Sequence, residues 1–230
     1  RCVVMPLQLV VFDFDQTLSA HHLFATLSHG RTNLKMRPPY ARTEVGQLKR
    51  LANESDERFM LAVFGSEKRV QLLASVLGEL RDAGVECVIC TRGYIGPVQK
   101  ALEEVELRQF FSEIYGKTGS EYGTPLRDEN TDIDALGNDR RFLGSREFSS
   151  WQTKREVVGS CLARRRLGFK DALFLDDDPR EVHDVSTTCT VLQVPDSGID
   201  DKACAYLRGL IREEASTTGR KPSSRCSNLC

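Results

Sequence analysis

Asp13 and Asp15 stand one residue apart at the end of the apolar run LVVF, residues 9–12. Asp176, Asp177 and Asp178 follow a second such run, ALFL, and Thr91-Arg92-Gly93 follow a third, CVIC. Lys154 ends the stretch SSWQTK, residues 149–154. Carboxylates gathered in one place repel one another unless a cation neutralises them. An all-oxygen set selects a hard ion, and Mg2+ characteristically takes a few carboxylates while keeping waters and substrate phosphate. A hydroxyl, backbone amides, a guanidinium and an amine suit the oxygens of a transferring phosphoryl group. One carboxylate can attack phosphorus while a second moves the leaving-group proton. Phosphoryl transfer is the chemistry that uses every one of these groups.

They can act together only if the chain brings them to one place. Strands are predicted at 8–14, 85–91, 171–176 and 190–194, with a shorter one at 113–115. Continuous runs such as VVF and ALFL suit strands covered on both faces, as in a parallel sheet. Helical patterns occupy 66–83, 96–104, 150–167 and 200–214. In the first, Val70, Leu73, Leu77 and Leu80 share one helix face, and Gly84 stops the helix before the next strand. This alternation reads as an α/β fold with a doubly wound, Rossmann-like parallel sheet and right-handed crossovers. Ligands bind such sheets at the carboxyl ends of the strands, where the acids and Thr91-Arg92 fall. Ser149 and Gln152 read as a capping box that sets Lys154 near the start of its helix. Lys170 lies directly before a strand, at the opposite end from the acids, so Lys154 is the preferred amine. Asp178 reads as a turn residue before Pro179.

Two segments break the rhythm. Residues 19–65 are mixed, with RPPYAR in the middle and weak helical patches at 44–53 and 55–64. Residues 116–148, rich in Gly, Asp, Asn and Arg, read as a long loop; loops of that length are functional or disordered more often than not. The end of the chain, 213–230, is polar and reads as a disordered tail.

In order, D13-F-D15-Q16-T17-L18, then Thr91, then Lys154, then L175-D176-D177-D178-P179 resemble the four motifs of the haloacid dehalogenase (HAD) superfamily of phosphatases, DxDxT type. The resemblance covers residues 7 to 195. It implies a Mg2+-dependent phosphatase that hydrolyses a phosphate monoester, with Asp13 forming an aspartyl phosphate and Asp15 as general acid/base. Thr91, Arg92 and Lys154 would hold the phosphate. Asp13, the backbone carbonyl of Asp15, and Asp176 with Asp177 would hold the metal. It also implies a core domain of residues 1–18 and 66–212, with residues 19–65 inserted as a small, mostly helical cap opened by His21, His22 and Phe24. Gln16 departs from the pattern, standing where many members have glycine. The alternative is a catalytically silent protein of the same fold that binds a phosphorylated ligand or partner. A phosphoacceptor signalling domain also combines acids, a Thr and a Lys, but there the lysine comes last, whereas Lys154 precedes the second acidic cluster.

Composition limits the remaining classes. A chain of 230 residues, 40% hydrophobic, can fill one core of ordinary size. A net charge of −1 excludes nucleic-acid binding by charge alone, and no apolar run reaches the roughly 18 residues of a membrane span. The expected partner is therefore a phosphorylated substrate, a small molecule in preference to a protein. The opening RCVVMPLQLVV lacks a cleavage site for a secretory signal and reads as a trimmed start entering a strand. Eight cysteines are scattered along the chain; Cys87 and Cys90 lie three apart in a strand, on opposite faces, and read as buried structural thiols, fitting a reducing, cytoplasmic setting. Cys226 and Cys230 fall in the polar tail. Arg164-Arg165-Arg166, His21, His22 and His183 read as solvated.

Overall fold

A computed structural model describes residues 7–30, 32–34, 36–54, 57–117, 143–145 and 149–218. Seven strands form one sheet: β1 (Leu9–Phe12), β2 (Glu86–Tyr94), β3 (Glu113–Lys117), β4 (Leu143–Gly144), β5 (Ser149–Trp151), β6 (Ala172–Asp176) and β7 (Thr190–Gln193). Their order is β5-β4-β3-β2-β1-β6-β7. The pairs from β3 through β7 are parallel, and β4 and β5 add an antiparallel edge. The chain builds outward from β1 through β2 to β3, then returns to the other side of β1 with β6 and β7. The sheet order reverses between β1 and β6, the place where open α/β sheets bind ligands.

Alternation along the strands explains why both faces must be covered. Val10, Phe12, Cys87, Ile89, Leu173 and Leu175 face one side, packing with α4 (Glu67–Asp82), α5 (Ile95–Glu104) and α8 (Asp201–Thr218). Leu9, Val11, Val88, Cys90 and Phe174 face the other, against α6 (Lys154–Arg165) and α7 (Pro179–Val185). Cys87 and Cys90 are free, buried and on opposite faces, as the period-two reading expects. Gly84 has φ +82°, a conformation that ends α4 at little cost for a residue without a side chain.

Residues 19–65 contain α1 (Leu23–His29), α2 (Glu44–Glu54) and α3 (Glu57–Val63). Leu23, Leu27, Leu51, Met60 and Val63 join the same apolar cluster as Phe12, Leu73 and Leu77. Tyr94 donates through its hydroxyl to the carbonyl of Arg42 (2.8 Å), and the amide of Gly96 donates to Glu44 (2.7 Å), fixing α2 to the start of α5.

Several expectations need correction. The helix predicted at 150–167 begins only at Lys154, because 149–151 pair as β5. Its capping box is Thr153 with Glu156, not Ser149 with Gln152: Glu156 N–H donates to the Thr153 hydroxyl, and Thr153 N–H to the Glu156 carboxylate. Within 116–148, Gly116–Lys117 complete β3 and Leu143–Gly144 pair with it; the rest of the predicted loop lies outside the described residues apart from Ser145. The helix predicted to stop at 214 runs to Thr218, and the remainder of the tail, with Cys226 and Cys230, lies outside the described residues. Arg164 and Arg166 are exposed, as the reading of a solvated helix face expects, but Arg165 is half-buried. Arg165 forms a fork with Glu86 (2.6 Å twice), and Arg164 reaches Glu113 (3.2 Å), because α6 lies across the amino ends of β2 and β3.

Burial separates two phenylalanines cleanly. Phe12 is fully buried, edge-on to Phe111 at 5.8 Å, whereas Phe169 is 48% exposed. Urea unfolding of Phe12→Ala should show a loss of about 3–5 kcal/mol, and Phe169→Ala a loss below about 1 kcal/mol. Equal losses would contradict this core.

Candidate active site

Register places the first two acids. Phe12 pairs with Leu175, and the amide of Asp13 extends the ladder by donating to the Leu175 carbonyl (2.8 Å). Asp13 and Asp176 therefore leave neighbouring strand ends side by side. The Lys154 ammonium sits between them, donating to Oδ1 of Asp13 (2.6 Å) and Oδ2 of Asp176 (2.7 Å). All three side chains are buried. Lys154 reaches them because the Thr153 cap starts α6 at the carboxyl end of the sheet. Asp177 completes the cluster: ligand oxygens of Asp13, Asp176 and Asp177 all lie within 4.8 Å of one another. Asp176 is held from a second side by the amide of Asp178 (2.9 Å), and Asp177 by the hydroxyl of Thr17 (3.3 Å). No donor among the described residues reaches Oδ2 of Asp13.

Burial dominates the protonation of the cluster and raises Asp13 and Asp176 above the ordinary carboxylate range; Lys154 pulls back against it, and mutual repulsion adds to it. Burial disfavours the Lys154 charge, but Asp13 and Asp176 outweigh burial and keep the amine protonated. One ammonium thus faces three carboxylates, and the site has room and charge for a further cation. The all-oxygen donor set fits Mg2+.

Asp15 lies in the wide turn Phe14–Leu18 that follows β1. Its Oδ1 accepts from the amides of Leu23 (2.6 Å) and Phe24 (3.4 Å), the open amino end of α1. Its Oδ2 lies 3.1 Å from Nδ1 of His22. That nitrogen also lies 3.4 Å from the amide of Ala25. The carboxylate is nearer and charged, so Nδ1 carries a proton and donates to Asp15. Burial works against an imidazolium, but the Asp15 carboxylate, with Asp13 and Asp177 beyond it, raises the His22 pKa; a ring 41% exposed keeps part of the effect screened by water. His22 is thus no solvated loop residue. Its pairing depends on a three-dimensional turn; the sequence signal was its place just ahead of a helix amino end. His183 is exposed, as expected.

Thr91 is buried within β2, two residues past its last pairing with β1 at Ile89, and accepts from the Gly93 amide (3.0 Å), which leaves its own proton to donate. A Cβ on Gly93 would lie 3.4 Å from Oγ1 of Thr91 and 3.6 Å from Oδ2 of Asp15, so the glycine keeps the space between them open. Arg92 turns elsewhere, forking onto Glu181 (2.9 and 2.7 Å) and the Gln152 carbonyl (3.0 Å). Gln16 adopts φ +59°, where glycine is common in the resembled motif, and its side chain reaches out to the Asp196 carbonyl (3.0 Å). Asp178 caps α7 by accepting from Arg180 (2.8 Å), and Lys170 lies in the turn entering the amino end of β6.

This is the fold of the haloacid dehalogenase superfamily. The HAD domain of the effector protein Lem4 from Legionella pneumophila covers 91% of this chain and 96% of its own, with a TM-score of 0.52 at 17% identity. A haloacid dehalogenase-like hydrolase from Streptococcus pneumoniae aligns over 88% and 91% (TM-score 0.43, 15% identity). The N-terminal part of a Bacteroides fragilis protein containing a phosphatase domain, complexed with Mg, aligns over 89% of this chain and 40% of that one (TM-score 0.49, 14% identity). No family model matches the sequence, and no curated protein does. No helix among the described residues is long and apolar enough to cross a membrane.

The ammonium is testable without any substrate. Lys154→Met leaves Asp13 and Asp176 buried together, and losing one partner of a buried ionic group costs about 3–5 kcal/mol. Without metal, the variant's carboxylates would titrate higher in the folded chain than in the unfolded one. The folded state then binds extra protons, so its stability should rise as pH falls from 7 to 5. Urea unfolding at both pH values, in chelator, reads this; a variant equally stable at both would contradict the charge cluster.

Proposed function

We propose that this chain is a Mg2+-dependent phosphatase that hydrolyses a phosphate monoester through an aspartyl phosphate on Asp13. The observation that carries the reading is the convergence of Asp13, Asp176 and Asp177 around the buried Lys154 at the sheet's switch point. Asp13, Asp176, Asp177 and the backbone carbonyl of Asp15 would hold the metal. Bound there, Mg2+ would offset carboxylate charge and polarise a phosphate oxygen.

The chain's own residues carry the remaining steps. Oδ2 of Asp13 attacks phosphorus, and the bond to the leaving oxygen breaks as Asp15 passes to that oxygen the proton it takes from the His22 imidazolium, which the proton later drawn from water restores. Thr91 and Lys154 donate to the phosphoryl oxygens, while Arg92, engaged with Glu181, supports the rim at the start of α7. Asp15, now the base, takes a proton from water, whose oxygen attacks the acyl phosphate; inorganic phosphate leaves and Asp13 is restored. His22 and the amides of Leu23 and Phe24 fix the direction of the Asp15 carboxyl. Residues 19–65 would serve as the small cap over this rim. The working compartment we take to be the cytoplasm, consistent with free, buried thiols.

Asp13 and Asp15 should fail differently. Asp13→Asn should abolish phosphate release from aryl and alkyl esters alike. Asp15→Asn should lose about 10²–10⁴-fold on an alkyl phosphate and much less on p-nitrophenyl phosphate, whose leaving group departs without protonation. Parallel losses across leaving groups would refute this division of labour. Silence of the unaltered chain on every ester, with phosphate still bound, would return it to a binding role.

Metal binding has a readout of its own. Ligands that bind only the folded state stabilise it by mass action, about 2.7 kcal/mol at a hundredfold excess over Kd. Mg2+ should therefore raise the melting temperature of the unaltered protein and have little effect on Asp176→Asn. Full phosphatase activity in chelator, or an equal thermal shift in the variant, would contradict the metal site.

A further inference from the structure

Beside Asp15 opens a cavity of about 540 Å³, and we infer that it receives the alcohol half of the substrate and selects a hydroxyl-rich one. The inference rests on the phosphatase reading. Its volume falls in the range of about 300–1,000 Å³ typical of small-molecule sites. Position ties it to the chemistry. Gln16, the chain neighbour of Asp15, and His22, its ion-pair partner, both line the cavity. The leaving oxygen must lie against Asp15 to be protonated, so the rest of the alcohol extends toward this side.

The lining decides the class of alcohol. His21, Asn33, Ser197 and Asp196 line the cavity together with Thr32, and the side chains of these first four make no hydrogen bond to the described residues. The amide nitrogen of Gln16 is engaged with the Asp196 carbonyl, which leaves its oxygen as an acceptor. Donors and acceptors are therefore interleaved around one volume. A hydroxyl both donates and accepts and can satisfy either kind; a primary ammonium satisfies acceptors only, a quaternary ammonium such as choline's neither, and a second phosphate donors only. The charge of His22 is engaged with Asp15, and Asp196, in the lining, repels an anion. An alkyl chain would strip water from these groups without replacing its hydrogen bonds. Sites built around hydrogen bonds to a substrate discriminate strongly against analogues that lack them.

Four esters test the inference with Mg2+ present: sorbitol 6-phosphate, hexyl phosphate, phosphocholine and fructose 1,6-bisphosphate. The kcat/KM on sorbitol 6-phosphate should exceed that on hexyl phosphate and phosphocholine at least tenfold, and should exceed that on the bisphosphate. Asn33→Ala and Asp196→Ala should each lower the ratio of sorbitol 6-phosphate to hexyl phosphate about tenfold, through KM. Hexyl phosphate, phosphocholine or the bisphosphate turned over as well as the polyol, or an unchanged ratio in both variants, would overturn the assignment. Thermal shifts of the Asp13→Asn protein with the same esters separate the two readings. If the polyol ester stabilises best while the unaltered protein hydrolyses none, the pocket stands and the phosphatase reading falls. Hydrolysis of all four without preference leaves the phosphatase and sinks the pocket.

Discussion

The ammonium of Lys154 between Asp13 and Asp176 is the contact on which the charged rim depends. It links groups 141 and 22 residues away in sequence. Burying charge is expensive, and the expense is recovered only where geometry and supporting hydrogen bonds are good. Here every element contributes to that geometry. Strand register sets Asp13 beside Asp176, the Thr153 cap starts α6 so that its first residue faces the sheet end, and the Asp178 amide holds Asp176 from behind. Phe174, with its ring centroid 6.0 Å from the ammonium, gives the cation a polarisable floor. Moving α6 by one residue would take the lysine out of reach, so the position of β5, which delays the helix start, is part of the site.

Charge at the rim is deliberately unbalanced. Four carboxylates, Asp13, Asp15, Asp176 and Asp177, meet two cations, Lys154 and the His22 imidazolium. Burial first, and the neighbouring carboxylates after it, raise carboxyl protonation at Asp13, the group that must be an anion to attack. A phosphate dianion would worsen the repulsion. A hard divalent ion beside the three clustered acids resolves both problems, since it favours the ionised carboxylates and offsets the incoming charge. Electrostatics, as well as the donor types, thus support the proposed Mg2+ dependence.

Most of the sheet was legible because both faces are buried, which makes strands such as LVVF and ALFL continuously apolar and leaves the acids at their ends conspicuous. The charged constellation was legible for the same reason. What escaped was set by competition in three dimensions. Both S-x-x-Q at 149–152 and T-x-x-E at 153–156 satisfy a capping pattern, and only the pairing of 149–151 with β4 decides between them. α1 and α7 are seven residues each, too short for periodicity to reveal, and exist through caps: the Asp15 carboxylate for one, Asp178 for the other. His22 could not be distinguished from a solvated histidine until the turn after β1 brought Asp15 round to it. Arg165 looked solvated because its partner, Glu86, belongs to a strand far away in sequence.

The same turn explains how Asp15 keeps its place without a strand to hold it. The turn passes through a left-handed residue, Gln16, a conformation disfavoured for a side-chain-bearing residue. Such strain persists only where the surroundings over-determine it. Ser19 accepts from the Gln16 amide (3.1 Å) and donates to the Phe14 carbonyl (3.0 Å), closing the turn internally. Arg69, from α4, donates to the carbonyls of Thr17 (3.0 Å) and Leu18 (2.6 Å) on the way out to residues 19–65, and to that of Phe64 (3.0 Å) on the way back. The Ile199 amide adds a further bond to the Thr17 carbonyl (2.9 Å), in a space so tight that a Cβ on Gly198 would come within 2.6 Å of that oxygen. A half-buried guanidinium that serves backbone carbonyls instead of a carboxylate adds no negative charge near an already anionic rim. Arg69 therefore ties both ends of residues 19–65 to the core and leaves the electrostatics of the four acids to Lys154, His22 and the proposed metal.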